Sequence, residues 1–453
     1  MSATTKAAPT FTAVFDSEAN VVVERDSARF AAAQAVLNDN PIANAFWSAL
    51  TPRQADLGDV AVAVYATDRL CRRPGADLWR RAINLTIPVR DVGFWRRANV
   101  AEALAVLLAY LSDDAWSIEF VSRKAEPRAS EHPTLFPRTF EAPVRAALFS
   151  GGLDSAAGFV KDAIDHPDFH FALFSAQTGT RTRAPQERQL EILEHRFPGR
   201  VTCATATFGF AAGDEHHFDR EERTQRTRGF AFQSLGAIAA LLAGASELQI
   251  FENGVGAINL PYLDSQLGSQ CTRSTSPITL SLNSRLVSLV VDTDFRFTLP
   301  HLLRTKGELC AVVREEDLEC LVGHTFSCDH FPQRRPCTDH CGVCSSCLLR
   351  RQSLFEAGLG TIDGARYVHA FPTRECRDRW FAFYSMDAQV NRIAESLDLT
   401  AHSSGSMEHQ FPVFAETLEF LRPRVNRSDL IALFRRYSDE WTRFRDVLLT
   451  YAS

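Results

Sequence analysis

The apolar positions of this chain fall into three stretches of different rhythm. In the first, residues 11–15 and 21–23 read as short strands joined by a turn at 16–20. Residues 30–37 and 43–50 carry helical spacing, and 59–71 is apolar enough for a buried helix. Residues 81–89 alternate as a strand, 100–111 return to helical spacing, and 116–121 give a returning strand. Together these predict a small α+β domain over residues 11–121, its arginine pairs (Arg72-Arg73, Arg80-Arg81, Arg96-Arg97) lying on solvated faces. A proline-rich segment of mixed charge, 122–143, reads as a linker. The second stretch alternates strand and helix: strands near 144–149, 171–176, 201–207 and 247–251, with helices from about 156, over 186–197 and over 229–244. That alternation predicts an α/β fold with a mostly parallel sheet covered on both faces. The third stretch, from about 374, is helical and aromatic. It is interrupted by a Ser-rich break at 402–406 and finished by a helix over 425–451 that starts near Asn426 or Ser428.

Between the first strand of the second stretch and its helix stands Ser150-Gly151-Gly152-Leu153-Asp154-Ser155. Two adjacent glycines let the backbone approach an anion closely. Ser150 and Ser155 add hydroxyls, and the amides at the helix N-terminus point at whatever occupies the turn. The segment reads as a phosphate cradle, against the alternative of a Gly-rich turn that holds no ligand. It is not a Walker loop, which places a lysine in the G-x-x-x-x-G-K-[ST] pattern. In parallel sheets ligands sit beyond the carboxyl ends of the strands. Glu252-Asn253-Gly254, after the fourth strand, is thus expected to face the same pocket.

Composition narrows the class. A chain of 453 residues calls for two or three domains. With 45% hydrophobic and 23% charged residues it is globular, and a formal net charge of -6 argues against nucleic acid as the direct substrate. No run of about 18 apolar residues predicts a membrane span. Residues 1–10, small and polar, are expected to be disordered and lack the apolar core of a signal peptide, so a cytoplasmic protein is expected.

Five of the 11 cysteines crowd between Cys328 and Cys347, which suggests metal ligation rather than disulfides. Cys341, Cys344 and Cys347 form two overlapping C-x-x-C steps. Zinc takes four tetrahedral ligands, so a fourth must return from upstream. Cys328 and Cys337 compete for that place. Cys328 is favoured because a loop of a dozen residues closes without strain, and His330 and His340 are weaker candidates. With four protein ligands such a site is structural. An iron–sulfur cluster is the rival occupant.

The turn and the cysteine cluster, in this order, resemble the 7-cyano-7-deazaguanine synthase (QueC-like) family of PP-loop ATP pyrophosphatases. The resemblance covers residues 144–360, a PP-loop domain with its zinc site, followed by a helical extension over 361–453. It is strengthened by Arg226-Thr227-Arg228-Gly229-Phe230, by Glu252-Asn253-Gly254, by Thr272-Arg273-Ser274-Thr275-Ser276-Pro277 and by the segment of Arg304, Lys306 and Glu308. Ser274 stands where the family pattern has threonine. The enlarged architecture is similar to QueC-like proteins of bacterial anti-phage operons, including the Qat type.

The resemblance implies an ATP-dependent ligase or synthase whose cofactors are ATP, Mg2+ and Zn2+. ATP is cleaved between its α- and β-phosphates to adenylate the carboxylate of 7-carboxy-7-deazaguanine, and an amine then displaces AMP. The amine is either a partner protein's N-terminus or ammonia, the latter leading to the nitrile. The same resemblance assigns the pyrophosphate portion to Ser150–Ser155 and magnesium to Asp154. It gives Lys306 and Arg228 the leaving charge, and Glu252, Asn253 and Arg273 the substrate. Against it stand a tRNA-modifying PP-loop enzyme and a non-catalytic nucleotide-binding subunit of a defence complex.

Overall fold

The structure, a computed structural model, describes all residues except 1–9, 16–20, 26–32, 74–78, 135, 178–182, 211–221, 223, 267, 330–339, 370–379, 401–405 and 453. Nearly all of the N-terminal ten residues, the turn at 16–20, most of the 402–406 break, Cys337 and His330 therefore lie outside the described residues.

The strands are β1 (Thr10–Phe15), β2 (Val21–Arg25), β3 (Ala33–Asn38), β4 (Ala82–Val89), β5 (Ala115–Ser122), β6 (Val144–Leu148), β7 (His170–Gln177), β8 (Val201–Phe210), β9 (Glu247–Ile250) and β10 (Arg296–Thr298). They form one sheet in the order β10-β9-β6-β7-β8-β3-β2-β1-β4-β5. Pairing is parallel from β10 to β8 and again across β1, β4 and β5, and antiparallel only where β3 and β2 intervene. Ala147 of β6 lies opposite Leu173 on one side and Gln249 on the other. A mixed α/β fold with a mostly parallel sheet is thus what the alternation produces.

Two expectations change here. Residues 30–37, read as helical, contain β3: the run Ala33-Gln34-Ala35-Val36-Leu37-Asn38 bonds to β2 on one side and to Phe208 and Gly209 of β8 on the other. Two waiting edges override a weak, alanine-based helix preference. β3 thereby joins the N-terminal α+β unit to the second stretch as one continuous sheet, and a single apolar core runs from Leu37 and Phe46 to Phe230 and Leu286.

The 122–143 segment is not a loose linker. Arg128, 7% exposed, pairs with Asp39 at 2.7 Å and also with Asp59, and Ser130 Oγ donates to Asp39. The arginine pairs are likewise not uniformly solvated. Arg73 and Arg81 are buried and share Asp114, and Arg81 also pairs with Asp68.

Helices cover both faces. α1 (Pro52–Leu70) opens with a capping box, Thr51 and Gln54 bonding reciprocally with Pro52 at the first position. It packs with α2 (Ala98–Ser112), α3 (Arg228–Leu242) and α4 (Pro277–Val291) against one face. On the other face lie α5 (Leu153–Asp165), α6 (Arg183–Arg196), α7 (Lys306–Glu315) and α8 (Ser345–Glu356). The C-terminal helices α9 (Phe381–Thr400), α10 (Pro412–Leu421) and α11 (Arg427–Ala452) bury their aromatics in a core of their own around Trp380, Phe434 and Trp441, with Ile258, Leu302 and Leu348 from the preceding part. This places α11 over the carboxyl ends of β6 and β9.

Candidate functional site

In the order β8-β7-β6-β9-β10 the chain winds outward in opposite directions from β6, leaving a crevice beyond the ends of β6 and β9, the usual ligand position in such sheets. A cavity of about 660 Å³ opens there. Gly152, Asp154, Glu252, Asn253 and Lys306 line it, with Arg226, Tyr262 and Gln352 further round and Tyr437 and Glu440 contributed by α11.

The turn is built as expected. β6 delivers buried Phe149, the backbone turns over Ser150, Gly151 and Gly152, and α5 starts at Leu153. Gly151 adopts φ +78°, and a Cβ there would sit 2.7 Å from Gln186 Cγ, so glycine is required twice over. The turn is braced from beneath: Gln186 donates to Ser150 O at 2.8 Å, Gln189 to Gly151 O at 3.0 Å, and Phe326 N–H to Gly151 O at 3.0 Å. Ser150 Oγ accepts from Gly152 N–H and meets Ser155 Oγ at 3.2 Å. Leu153, expected in the cradle, is buried in the core and does not line the cavity.

Asp154 is the hub. Lys306 Nζ reaches its Oδ2 at 2.6 Å, and Asn253 Nδ2 donates to its Oδ1 at 2.8 Å and to Glu252 Oε1 at 3.0 Å. Lys306 stands at the start of α7, where Thr305 and Glu308 form a capping box. It is not a surface lysine, its side chain being only 12% exposed. Burial works against its ammonium, but Asp154 and Glu252 outweigh that and raise its pKa. Glu252 is pushed up to about 8 by burial and then by the charge of Asp154, with Lys306 pulling the other way.

Asn253 also caps the short helix Gly254–Ile258 by accepting from Gly256 N–H. Both ends of its amide are thus engaged within the protein, which makes it a brace for Asp154 and Glu252. Gly254 lets the chain before Lys306 come close, since a Cβ there would lie 1.8 Å from Leu302 O.

Two expected residues do not join this group. Arg228 does not line the cavity: its guanidinium lies over the Phe232 ring at 4.9 Å and is held near Tyr65 and Arg69, so the arginine of that segment that reaches the cavity is Arg226. Arg228 is the first residue of α3, whereas Arg226 stands in the non-helical approach to it, after Gln225 at φ +48°. Arg273 lines a neighbouring cavity of about 290 Å³, bonding Tyr110 O at 2.9 Å and Asp113 at 3.2 Å; it ties its loop to α2.

Sequence reasoning missed Glu440. It is 4% exposed and lies on α11 within the apolar stripe of Phe434, Tyr437, Trp441 and Phe444. A carboxylate inside such a stripe was the available signal.

The four-cysteine group forms one wall. The sulfurs of Cys328, Cys341, Cys344 and Cys347 all lie within 4.8 Å of one another, with Cys328–Cys344 at 4.0 Å and Cys341–Cys347 at 3.8 Å. Zn–S bonds of about 2.3 Å in a tetrahedron put sulfurs about 3.8 Å apart, so this group could hold zinc. Backbone N–H groups of Cys341, Val343 and Cys344 point at the sulfurs, as thiolates require. Cys328 takes the contested fourth place among the described residues, while His340 stacks on Phe326 and accepts from Ser327 N–H instead. Phe326, Ser327, Asp329, Ser345 and Ser346, all next to the cysteines, face the cavity. Compared with known proteins, the chain matches no family model and no curated protein.

Proposed function

We propose that this chain is an AMP- and pyrophosphate-forming enzyme of the PP-loop kind that adenylates a carboxylate in the cavity beyond β6 and β9. The carrying observation is the Ser150–Ser155 turn at the switch point of a parallel sheet, with the Lys306–Asp154 pair directly beside it. The turn's backbone amides, the Ser150 and Ser155 hydroxyls and the N-terminus of the 13-residue α5 bind phosphate oxygens. Lys306 neutralises charge on the leaving pyrophosphate. Asp154 brings a carboxylate to the same point, a hard-oxygen donor that suits magnesium, which would supply charge neutralisation to the triphosphate.

The QueC-like resemblance supplies the acid, 7-carboxy-7-deazaguanine or a close analogue. Its carboxylate attacks the α-phosphate, the bond to the β-phosphate breaks, and an amine then displaces AMP. Glu252, whose raised pKa keeps it protonated near neutral pH, presents both a donor and an acceptor to the ring edge. The resemblance of the enlarged form to anti-phage proteins points to a partner protein's amine as acceptor, with ammonia as the alternative.

Purified protein incubated with ATP, magnesium, this acid and an ammonium salt as the source of amine should yield AMP and pyrophosphate in equal amounts. Formation of ADP alone, or no consumption of ATP, refutes the reading.

A further inference from the structure

The adenylation scheme leaves one buried acid of the cavity unused. Glu440 Oε1 accepts from Thr305 Oγ1 at 2.5 Å and Oε2 from Gln352 Nε2 at 2.9 Å. Both partners are neutral, and no ion pair to Glu440 is present among the described residues. Thr305 immediately precedes Lys306, so Glu440 sits one residue from the group that faces the pyrophosphate, yet reaches the cavity from the opposite side, on α11.

Each of its oxygens keeps one lone pair. With Glu252 protonated, the cavity lining holds Asp154, Asp329 and Glu440 against Arg226 and Lys306, and Lys306 is already paired with Asp154, so Glu440 is a buried acid open to a cationic ligand. A primary amine arrives as an ammonium and must shed a proton before it attacks. Burial first of all raises the Glu440 pKa to about 7, with Glu356 and Glu308 adding to the rise and the Thr305 and Gln352 hydrogen bonds opposing it. A carboxylate with that poise exchanges protons readily at neutral pH.

We infer that Glu440 is the catalytic base of the second half-reaction, accepting the proton of a primary amine that enters the cavity along α11. In this step the Glu440 carboxylate takes one proton from the ammonium, the freed amine nitrogen bonds to the acyl carbon, the bond from that carbon to the adenylate oxygen breaks, and AMP leaves with the electron pair, its phosphate taking up the nitrogen's second surplus proton. The inference rests on the adenylation reading of the same site.

The test compares Glu440→Gln with the wild-type protein, using 7-carboxy-7-deazaguanine and three readouts: ATP–pyrophosphate exchange, amide formation with ammonia, and hydroxamate formation with hydroxylamine, which is already neutral at pH 7. Expected are exchange and hydroxamate formation within about threefold of wild type, and amide formation lowered by about 10²-fold or more. Unchanged amide formation overturns the role. So does loss of exchange in both Glu440→Gln and the carboxylate-retaining Glu440→Asp, which would make Glu440 a support for Thr305 and Lys306. Absence of exchange in the wild-type protein overturns the adenylation reading, and the role of Glu440 with it.

Discussion

At the scale of single residues, two side chains beside Asp154, Lys306 and Glu252, carry the proposed chemistry. Lys306 is held at 2.6 Å from its carboxylate, and Lys306→Ala should lower AMP formation by about 10²–10³-fold while leaving zinc content unchanged. A loss under threefold would remove Lys306 from the account. Glu252 carries its own pH signature. Its pKa of about 8 in the folded chain lies above the ordinary carboxylate value, so the folded state holds a proton that the unfolded chain has already released. Stability from this group is therefore highest below pH 5 and declines as pH rises towards 8. Denaturant melts at pH 5, 6.5 and 8 should show the wild-type protein losing stability relative to Glu252→Gln across that range; parallel profiles would mean that Glu252 is not held protonated. The Ser150–Ser155 turn between strand and helix was legible in the sequence because its glycine spacing carries it, whereas Lys306 was singled out by the resemblance alone. The exclusion of Arg228 in favour of Arg226 was not legible, since it depends on how the chain enters α3. Glu440 comes from a helix more than 130 residues beyond Lys306, and only the packing of α11 brings it near.

At the scale of elements, Phe326 and the start of α8 link the four-cysteine group to the Ser150–Ser155 turn and the cavity wall. Phe326 N–H bonds Gly151 O, and Ser345 Oγ bonds Asp329 in the cavity wall at 2.9 Å. Removing metal should thus impair the distant turn. Treatment with a strong chelator should release about one zinc per chain and lower both the melting temperature and ATP–pyrophosphate exchange, both returning on adding zinc back. Unchanged exchange in metal-free protein would show that the wall stands without it. The strand and helix signals at 81–89, 100–111, 171–176 and 229–244 lie within two residues of the observed elements at either end. β3 was misread because its six residues take their conformation from β2 and β8 rather than from their own side chains.

At the scale of the whole molecule, β3 makes one sheet of what the sequence suggests are two units, and the 122–143 segment is strapped against the end of β3 and against α1. Arg128 is the buckle, between Asp39 and Asp59. Burial raises the Asp39 pKa even with Arg128 beside it, so Arg128→Ala would strand that acid and should cost about 3–5 kcal/mol in denaturant unfolding. A cost under 1 kcal/mol would mean that the strap is not structural. Arg273 ties the loop that brings Gln270, Cys271 and Thr272 to the cavity lining onto the end of α2, while α11 supplies Phe434, Tyr437 and Glu440. The central claim is that a carboxylate oxygen attacks the α-phosphate in that cavity. Acid labelled with ¹⁸O in its carboxyl group should transfer one labelled oxygen to the phosphate of AMP during turnover, read by mass spectrometry. AMP without label, formed as the acid is consumed, would contradict the claim.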